Sequence, residues 1–227
     1  MKTMKPAIRE SHVRIPCPGV WLDGDLAVPE HARGLVVFAH GSGSSRMSPR
    51  NRRVAARMHE SGMATLLFDL LTPDEAEAEE QGAMMRFDIP FLTGRLSDVI
   101  DWLREHPDVG HLGIGCFGAS TGAAAALMAA ASDAEIRAVV SRGGRTDLAG
   151  ADTRHVQAPV LLIVGSRDEV VLRWNRETME LLPGVRKLSV VEGASHLFEE
   201  PGTLDEAADL AADWFALHLP SETVHSV

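Results

Sequence analysis

Gly118-Ala119-Ser120-Thr121-Gly122 stands between two unlike stretches of chain. His111 to Phe117 comes before it, short and apolar, as a buried strand is. Ala123 to Ala131 follows, all alanine apart from Leu127 and Met128, as a helix packed tightly on a sheet is. A G-x-S-x-G turn between strand and helix lifts the serine oxygen out of the sheet. It also sets that oxygen beside helix N–H groups that favour negative charge. Glycine, alanine and serine are common, so the five residues alone leave a second reading open: an ordinary turn with serine as N-cap. The surrounding chain decides between the two.

Strand and helix signals alternate outward from that turn. Val13-Ile15 and Val20-Val28 predict two short strands, with turns at Pro18-Gly19 and Asp23-Gly24, as in an antiparallel entry hairpin. Leu35 to Ala39 and Ala64 to Phe68 are continuous apolar runs and read as buried parallel strands. A helix is expected over Pro49–Ser61, closed by Gly62. Phe91 to Arg104 has helical apolar spacing. Strands are expected at Ile136–Val140, Pro159–Val164 and Val185–Val191, and helices at Val171–Leu182 and Leu204–Leu219. The tail after Pro220 is expected to be frayed.

Such alternation is the pattern of an α/β fold with a mostly parallel sheet. No internal repeat is found, and residues 1–227 read as a single domain. One segment departs from the pattern. Thr72 to Gln81 carries five acids and almost no core residue, which predicts a mobile or solvent-facing excursion within residues 72–90.

Composition narrows the function classes. The formal net charge of −10 argues against nucleic-acid binding, which needs a basic face. No apolar run reaches the ~18 residues that span a bilayer. The N-terminus lacks the apolar region of a signal peptide. Cys17 and Cys116 are too few for a disulfide framework and suit a reduced compartment. A cytoplasmic protein without membrane or nucleic-acid partners is expected. No H-E-x-x-H or similar ligand spacing occurs, so neither metal nor cofactor is expected. Oligomeric state is not legible.

A serine hydroxyl needs a base to activate it, and the base needs a partner to orient it. Polar loops at the C-terminal strand ends supply both. Of ten histidines, His196 alone ends the last strand before the last helix. Its alternative is an exposed loop histidine. Asp168, in a short turn after the Pro159–Val164 strand, is the favoured partner, with Glu169 and Asp147 as rivals. An oxyanion needs N–H donors. Thr121 is expected to supply one from its backbone, and Ser42 the other, with Gly41 and Gly43 as close alternatives. His40 opens that loop, near the oxyanion site, and is a candidate for substrate contact. The loop His40-Gly-Ser-Gly-Ser-Ser lacks the Lys-Ser/Thr ending of a Walker A loop and the third glycine of G-x-G-x-x-G.

Taken together, His40-Gly41-Ser42-Gly43, Gly118 to Gly122, Gly165-Ser166-Arg167-Asp168 and Gly193-Ala194-Ser195-His196 resemble the α/β-hydrolase superfamily, most of all small dienelactone-hydrolase-like serine hydrolases. The chain order Ser, Asp, His is that superfamily's order. The resemblance covers nearly the whole chain. It implies an α/β-hydrolase fold without a large cap and a Ser120–His196–Asp168 triad acting on carboxylic esters. It departs at one point: the named family is expected to use a cysteine nucleophile, and here the elbow holds Ser120. Dienelactone is therefore not the expected substrate; a small or short-chain ester is. Arg46 to Arg53 is similar to a subgroup sometimes joined to phosphoribosyltransferase domains, of which these residues include none.

Two groups of residues bear on substrate. Met84, Met85 and Phe87 either line an acyl pocket or pack on the following helix. Arg142 and Arg145 either bind a substrate carboxylate through their forked donors or pair with Asp147 or Asp152. Thioesterase, acyltransferase and small-peptide hydrolase share the same triad. A non-catalytic module on the same fold and a phosphate or nucleotide binder using the Ser42 loop are the remaining alternatives.

Overall fold

The computed structural model describes residues 7–82 and 84–219. The expected frayed tail after Pro220 lies outside them. The sheet forms from the apolar runs identified above. Strands β1 (Ile8–Cys17), β2 (Val20–Pro29), β3 (Leu35–Ala39), β4 (Ala64–Phe68), β5 (Ile114–Ala119), β6 (Ala138–Arg142), β7 (Val160–Gly165) and β8 (Arg186–Val191) join in the order β1-β2-β4-β3-β5-β6-β7-β8. The β1–β2 and β2–β4 pairs are antiparallel and all other pairs are parallel.

The central strands are buried on both faces, so alternate residues feed opposite cores. Leu35, Val37 and Ala39 face one apolar cluster with helices α3 (Ile89–Glu105) and α4 (Thr121–Ser132). Val36 and Phe38 face the other, with α1 (Pro49–Glu60) and α6 (Thr203–His218). α5 (Glu169–Leu181) packs on β7, β8 and a 3-10 segment, Thr146–His155, which rests on α4. Each fully buried aliphatic or aromatic side chain contributes about 1.5–3 kcal/mol to this arrangement. The fold is the expected one: a mostly parallel sheet between helices, without a large cap.

Three elements differ from the sequence reading. The hairpin strands are longer, ten residues each and paired along their whole length. Residues 73–80, read as an excursion, form helix α2 (Pro73–Glu80). The physical reason is local. Thr72 and Glu75 form a capping box, Pro73 opens the first turn, and Asp74 and Glu75 lie at the positive end of the helix. Nor is the segment without inward residues: Glu79 is 6% exposed and paired with Arg86.

The third difference concerns β6, which lies two residues later than expected. Its last residue is Arg142, in register with Ala119. Arg142 is therefore a buried strand residue, not a loop residue.

Candidate active site

Ser120 sits between β5 and α4 with φ 51° and ψ −121°, a conformation a side chain adopts only when its surroundings force it. Its N–H donates to Arg142 O at 3.2 Å, and its carbonyl accepts from Ala123 N at 3.1 Å and Arg145 N at 3.0 Å. The flanking glycines are required by close approach. A Cβ on Gly118 would lie 2.3 Å from Ala123 Cα, and one on Gly122 2.1 Å from Ala39 O. Those contacts let α4 start directly beneath the turn.

Two more strand ends converge on the serine. The turn after β7 is tied to the loop after β8: Ser166 N donates to Val191 O at 2.9 Å, and Arg167 N to Ala194 O at 3.0 Å. This places His196 Nδ1 2.6 Å from Asp168 Oδ2 and His196 Nε2 3.3 Å from Ser120 Oγ. Asp168 is largely buried, and the His196 ring is about two-fifths exposed. Of the three acids considered for this place, Asp168 alone touches His196 among the described residues. Glu169 is exposed in the first turn of α5, and Asp147 pairs with Arg145.

The Ser42 loop crosses the start of α4. Ser42 N donates to Thr121 Oγ1 at 3.0 Å. Thr121 is the first residue of α4, so its own N–H has no carbonyl partner within the helix. His40 lies beside that loop and lines the cavity next to it. It is 8% exposed; Nδ1 donates to Gly41 O and Nε2 accepts from Leu70 N, each at 3.0 Å. These bonds fix a neutral ring that ties the Ser42 loop to the chain after β4.

Burial pulls the His40 imidazole below its ordinary value. His59 and His218 are lowered for the same reason. As pH falls, the unfolded chain takes up these protons first, from about pH 6.5. The folded state resists until its own lower values are reached, so the contribution is whole above about pH 6.5 and is lost below it. Melting temperature is expected to fall on acidification from about pH 7.5 to 5.5. A His40→Asn variant is expected to show a shallower fall, and equal slopes would contradict the assignment.

The two cysteines are unsuited to chemistry. Burial pushes the Cys116 thiol up to about 12 and the Cys17 thiol to about 11, away from the reactive thiolate. Both are buried and free, and Cys116 points into the core from β5.

The two arginines of interest separate. Arg145 makes a two-pronged pair with Asp147, both contacts 2.9 Å, and lies over the Trp174 ring at 4.5 Å. Arg142 has no acidic partner among the described residues. It lines a cavity of about 260 Å³ together with Ser120, His196, Ser48, Arg50 and Asn51. Burial, with the Arg50 guanidinium nearby, pulls Arg142 down to about 10. Its face lies over the Phe198 ring at 5.6 Å. That contact is worth about 0.5–2 kcal/mol, less than the several kcal/mol it costs to bury an unpaired ion.

A second cavity, of about 250 Å³, is lined by His40, Ser42, Thr121 and Arg86. Met84 and Phe87 are exposed and Met85 is half-buried; none of the three lines either cavity. Their short 3-10 turn packs on α2 and α3 instead. Sequence reasoning missed Ser48, Arg50 and Asn51. The available signal was Ser48-Pro49, a helix start with an arginine-rich first turn. Among the described residues no three His, Cys, Asp or Glu side chains group so as to hold a metal ion, and no helix is long and apolar enough to cross a membrane.

Comparison with known proteins follows the same lines. Residues 22–216 match the model of a family described as the dienelactone hydrolase family. A dienelactone hydrolase from Anabaena variabilis superposes with a TM-score of 0.92 at 50% identity, over 95% of this chain and 100% of that one. Est1E from Butyrivibrio proteoclasticus superposes with a TM-score of 0.73 at 16% identity, over 90% of this chain and 99% of that one, which is a likeness of fold alone. Two Mycobacterium tuberculosis proteins, each provisionally named a phosphoribosyl transferase, are 55% identical over 215 residues. The match takes in 94% of this chain and 48% of theirs, so the chain spans about half the length of these relatives.

Proposed function

The chain belongs to the dienelactone hydrolase family, and from that premise we propose that it is a serine hydrolase of small carboxylic esters. The observation that carries this reading is the contact chain Ser120 Oγ–His196 Nε2 and His196 Nδ1–Asp168 Oδ2. The 3.3 Å separation of the first pair is slightly long, as it often is before substrate tightens a site.

Ser120 Oγ attacks the ester carbonyl while His196 Nε2 takes its proton. Asp168 holds the Nδ1–H and stabilises the imidazolium. The carbonyl oxygen becomes an anion, received by the backbone N–H groups of Thr121 and Ser42. The Thr121 hydroxyl now accepts from Ser42 N; the substrate oxygen takes over that donor. The C–O bond breaks and the alcohol leaves with the proton from His196. Water, deprotonated by His196, then attacks the acyl-enzyme, and the acid departs as Ser120 regains its proton.

Two free, buried thiols fit a reducing, cytoplasmic setting. Thioesters and acyl transfer use the same residues, and water access at the half-exposed His196 favours hydrolysis. The phosphoribosyl transferase activity in the relatives' name is not carried over to this chain, which matches 48% of their length.

Treatment with a fluorophosphonate, followed by intact-mass spectrometry, is the direct test. One adduct is expected on the wild type and none on Ser120→Ala. A folded wild type that takes no adduct removes the hydrolase reading.

A further inference from the structure

Arginines that turn inward in this protein have acidic partners. Arg46 meets Asp69, Arg86 meets Glu79, Arg95 meets Glu75, Arg104 meets Asp133, and Arg145 meets Asp147. Arg142 breaks the rule although it is 7% exposed. Its Nε and Nη1 are buried without an acceptor, and Nη2 has only a 3.5 Å contact with Asn51 Oδ1. Stacking on Phe198 engages the flat face of the guanidinium and leaves these edge donors unused.

The start of α1 lines the same cavity, through Ser48, Arg50 and Asn51. A helix N-terminus favours negative charge. Yet the first turn of α1 has no acid, and the first five residues of the helix include Arg50, Arg52 and Arg53. Arg52 and Arg53 turn outward to Asp25 and Asp205. Arg50 lines the cavity and also lies 3.6 Å from the exposed Glu199. Two guanidinium groups and a helix N-terminus thus line one space together with Ser120 and His196.

We propose that this cavity holds an oxyanion group, carboxylate or phosphoryl, carried by the ester substrate, with the Arg142 fork as its buried anchor. The anion supplies the acceptors that Arg142 Nε and Nη1 lack. Arg50 closes the site from the helix side. Arg142 thereby selects esters with a negative charge a short distance from the scissile bond. This rests on the hydrolase reading for the fate of the ester, but not for the binding of the anion.

The test separates the two. Ser120→Ala protein, which cannot turn over, is melted with inorganic phosphate or with succinate, ionic strength being balanced with chloride. A saturable rise in melting temperature of about 3 °C or more is expected with at least one of them. A response to phosphate marks a phosphoryl group, and a response to succinate marks a carboxylate. The rise is expected to vanish when Arg142→Met is added. No rise with either anion, or an equal rise in the double variant, overturns the proposal.

A kinetic arm uses mono-4-nitrophenyl succinate against 4-nitrophenyl butyrate. The ratio of kcat/KM, anionic to neutral, is expected to drop at least about tenfold in Arg142→Met, mainly through KM, with partial recovery in Arg142→Lys. An unchanged ratio contradicts the proposal. Should Arg142→Met not fold, Arg50→Gln reports on the same site and is expected to lower the ratio in the same direction. Anion binding without ester turnover by the wild type keeps the subsite and removes the hydrolase reading; turnover without any anion effect does the reverse.

Discussion

Ser120→Ala is expected to lower kcat on 4-nitrophenyl esters by about 10⁴-fold or more, with the fold intact. The size follows from chemistry: without Oγ no acyl-enzyme forms, and only direct attack by water remains. The intact fold follows from the backbone. Alanine keeps the Cβ at φ 51°, and the bonds from Ser120 N to Arg142 O and from Ala123 N to Ser120 O do not involve the hydroxyl. Melting temperature should therefore stay close to that of the wild type while activity disappears. Steady-state kinetics and a melting curve on the same preparation check both halves. Activity within tenfold of the wild type, in protein free of wild-type contamination, would place the nucleophile elsewhere.

Asp168→Asn is the second large effect, expected to cost about 10³–10⁴-fold in kcat. The carboxylate, 2.6 Å from His196 Nδ1, keeps the proton on that nitrogen and leaves Nε2 free to accept from Ser120. An amide of the same shape can present its own N–H to Nδ1, which reverses the tautomer. It also carries no charge to balance the imidazolium. Asp168 makes no side-chain capping bond to α5, so the change should leave that helix in place. Glu169→Gln is the control: that side chain is exposed and is expected to change kcat less than about twofold. A loss in Glu169→Gln comparable to that in Asp168→Asn would contradict the assignment.

Much of this site is legible because its signals are local. The elbow needs a glycine wherever two backbones nearly touch, so Gly118 and Gly122 announce it. His196 and Asp168 follow apolar runs long enough to be recognised as strands, and a parallel sheet brings such strand ends to one edge. The signal for helix α2 is equally local, but its run of acids has the composition of solvent-facing charge and masks it. Thr72-Pro73-Asp74-Glu75 in fact carries a capping box.

His40 and Arg142 belong to another class. His40 ends an apolar strand beside a glycine loop, which is compatible with substrate contact. Its two bonds, to Gly41 O and Leu70 N, depend on where the chain after β4 passes. Arg142 and Arg145 lie three residues apart in a similar setting, and no local rule separates them. A shift of β6 by two residues buries the first, while the second finds Asp147 two residues further on.

From the sequence alone came the layer order of strand and helix, the elbow serine, and the histidine and acid at later strand ends. Steric limits on backbone approach and the period of apolar residues act over a few positions, so they are written in the chain itself. Only the tertiary structure decided which of three acids meets His196, that His40 bonds Gly41 O and Leu70 N, and that Arg142 faces Ser120's cavity without an acidic partner among the described residues. Those outcomes depend on distances between residues far apart in sequence. Burial and charge pairing are properties of that three-dimensional neighbourhood, and no residue carries them by itself.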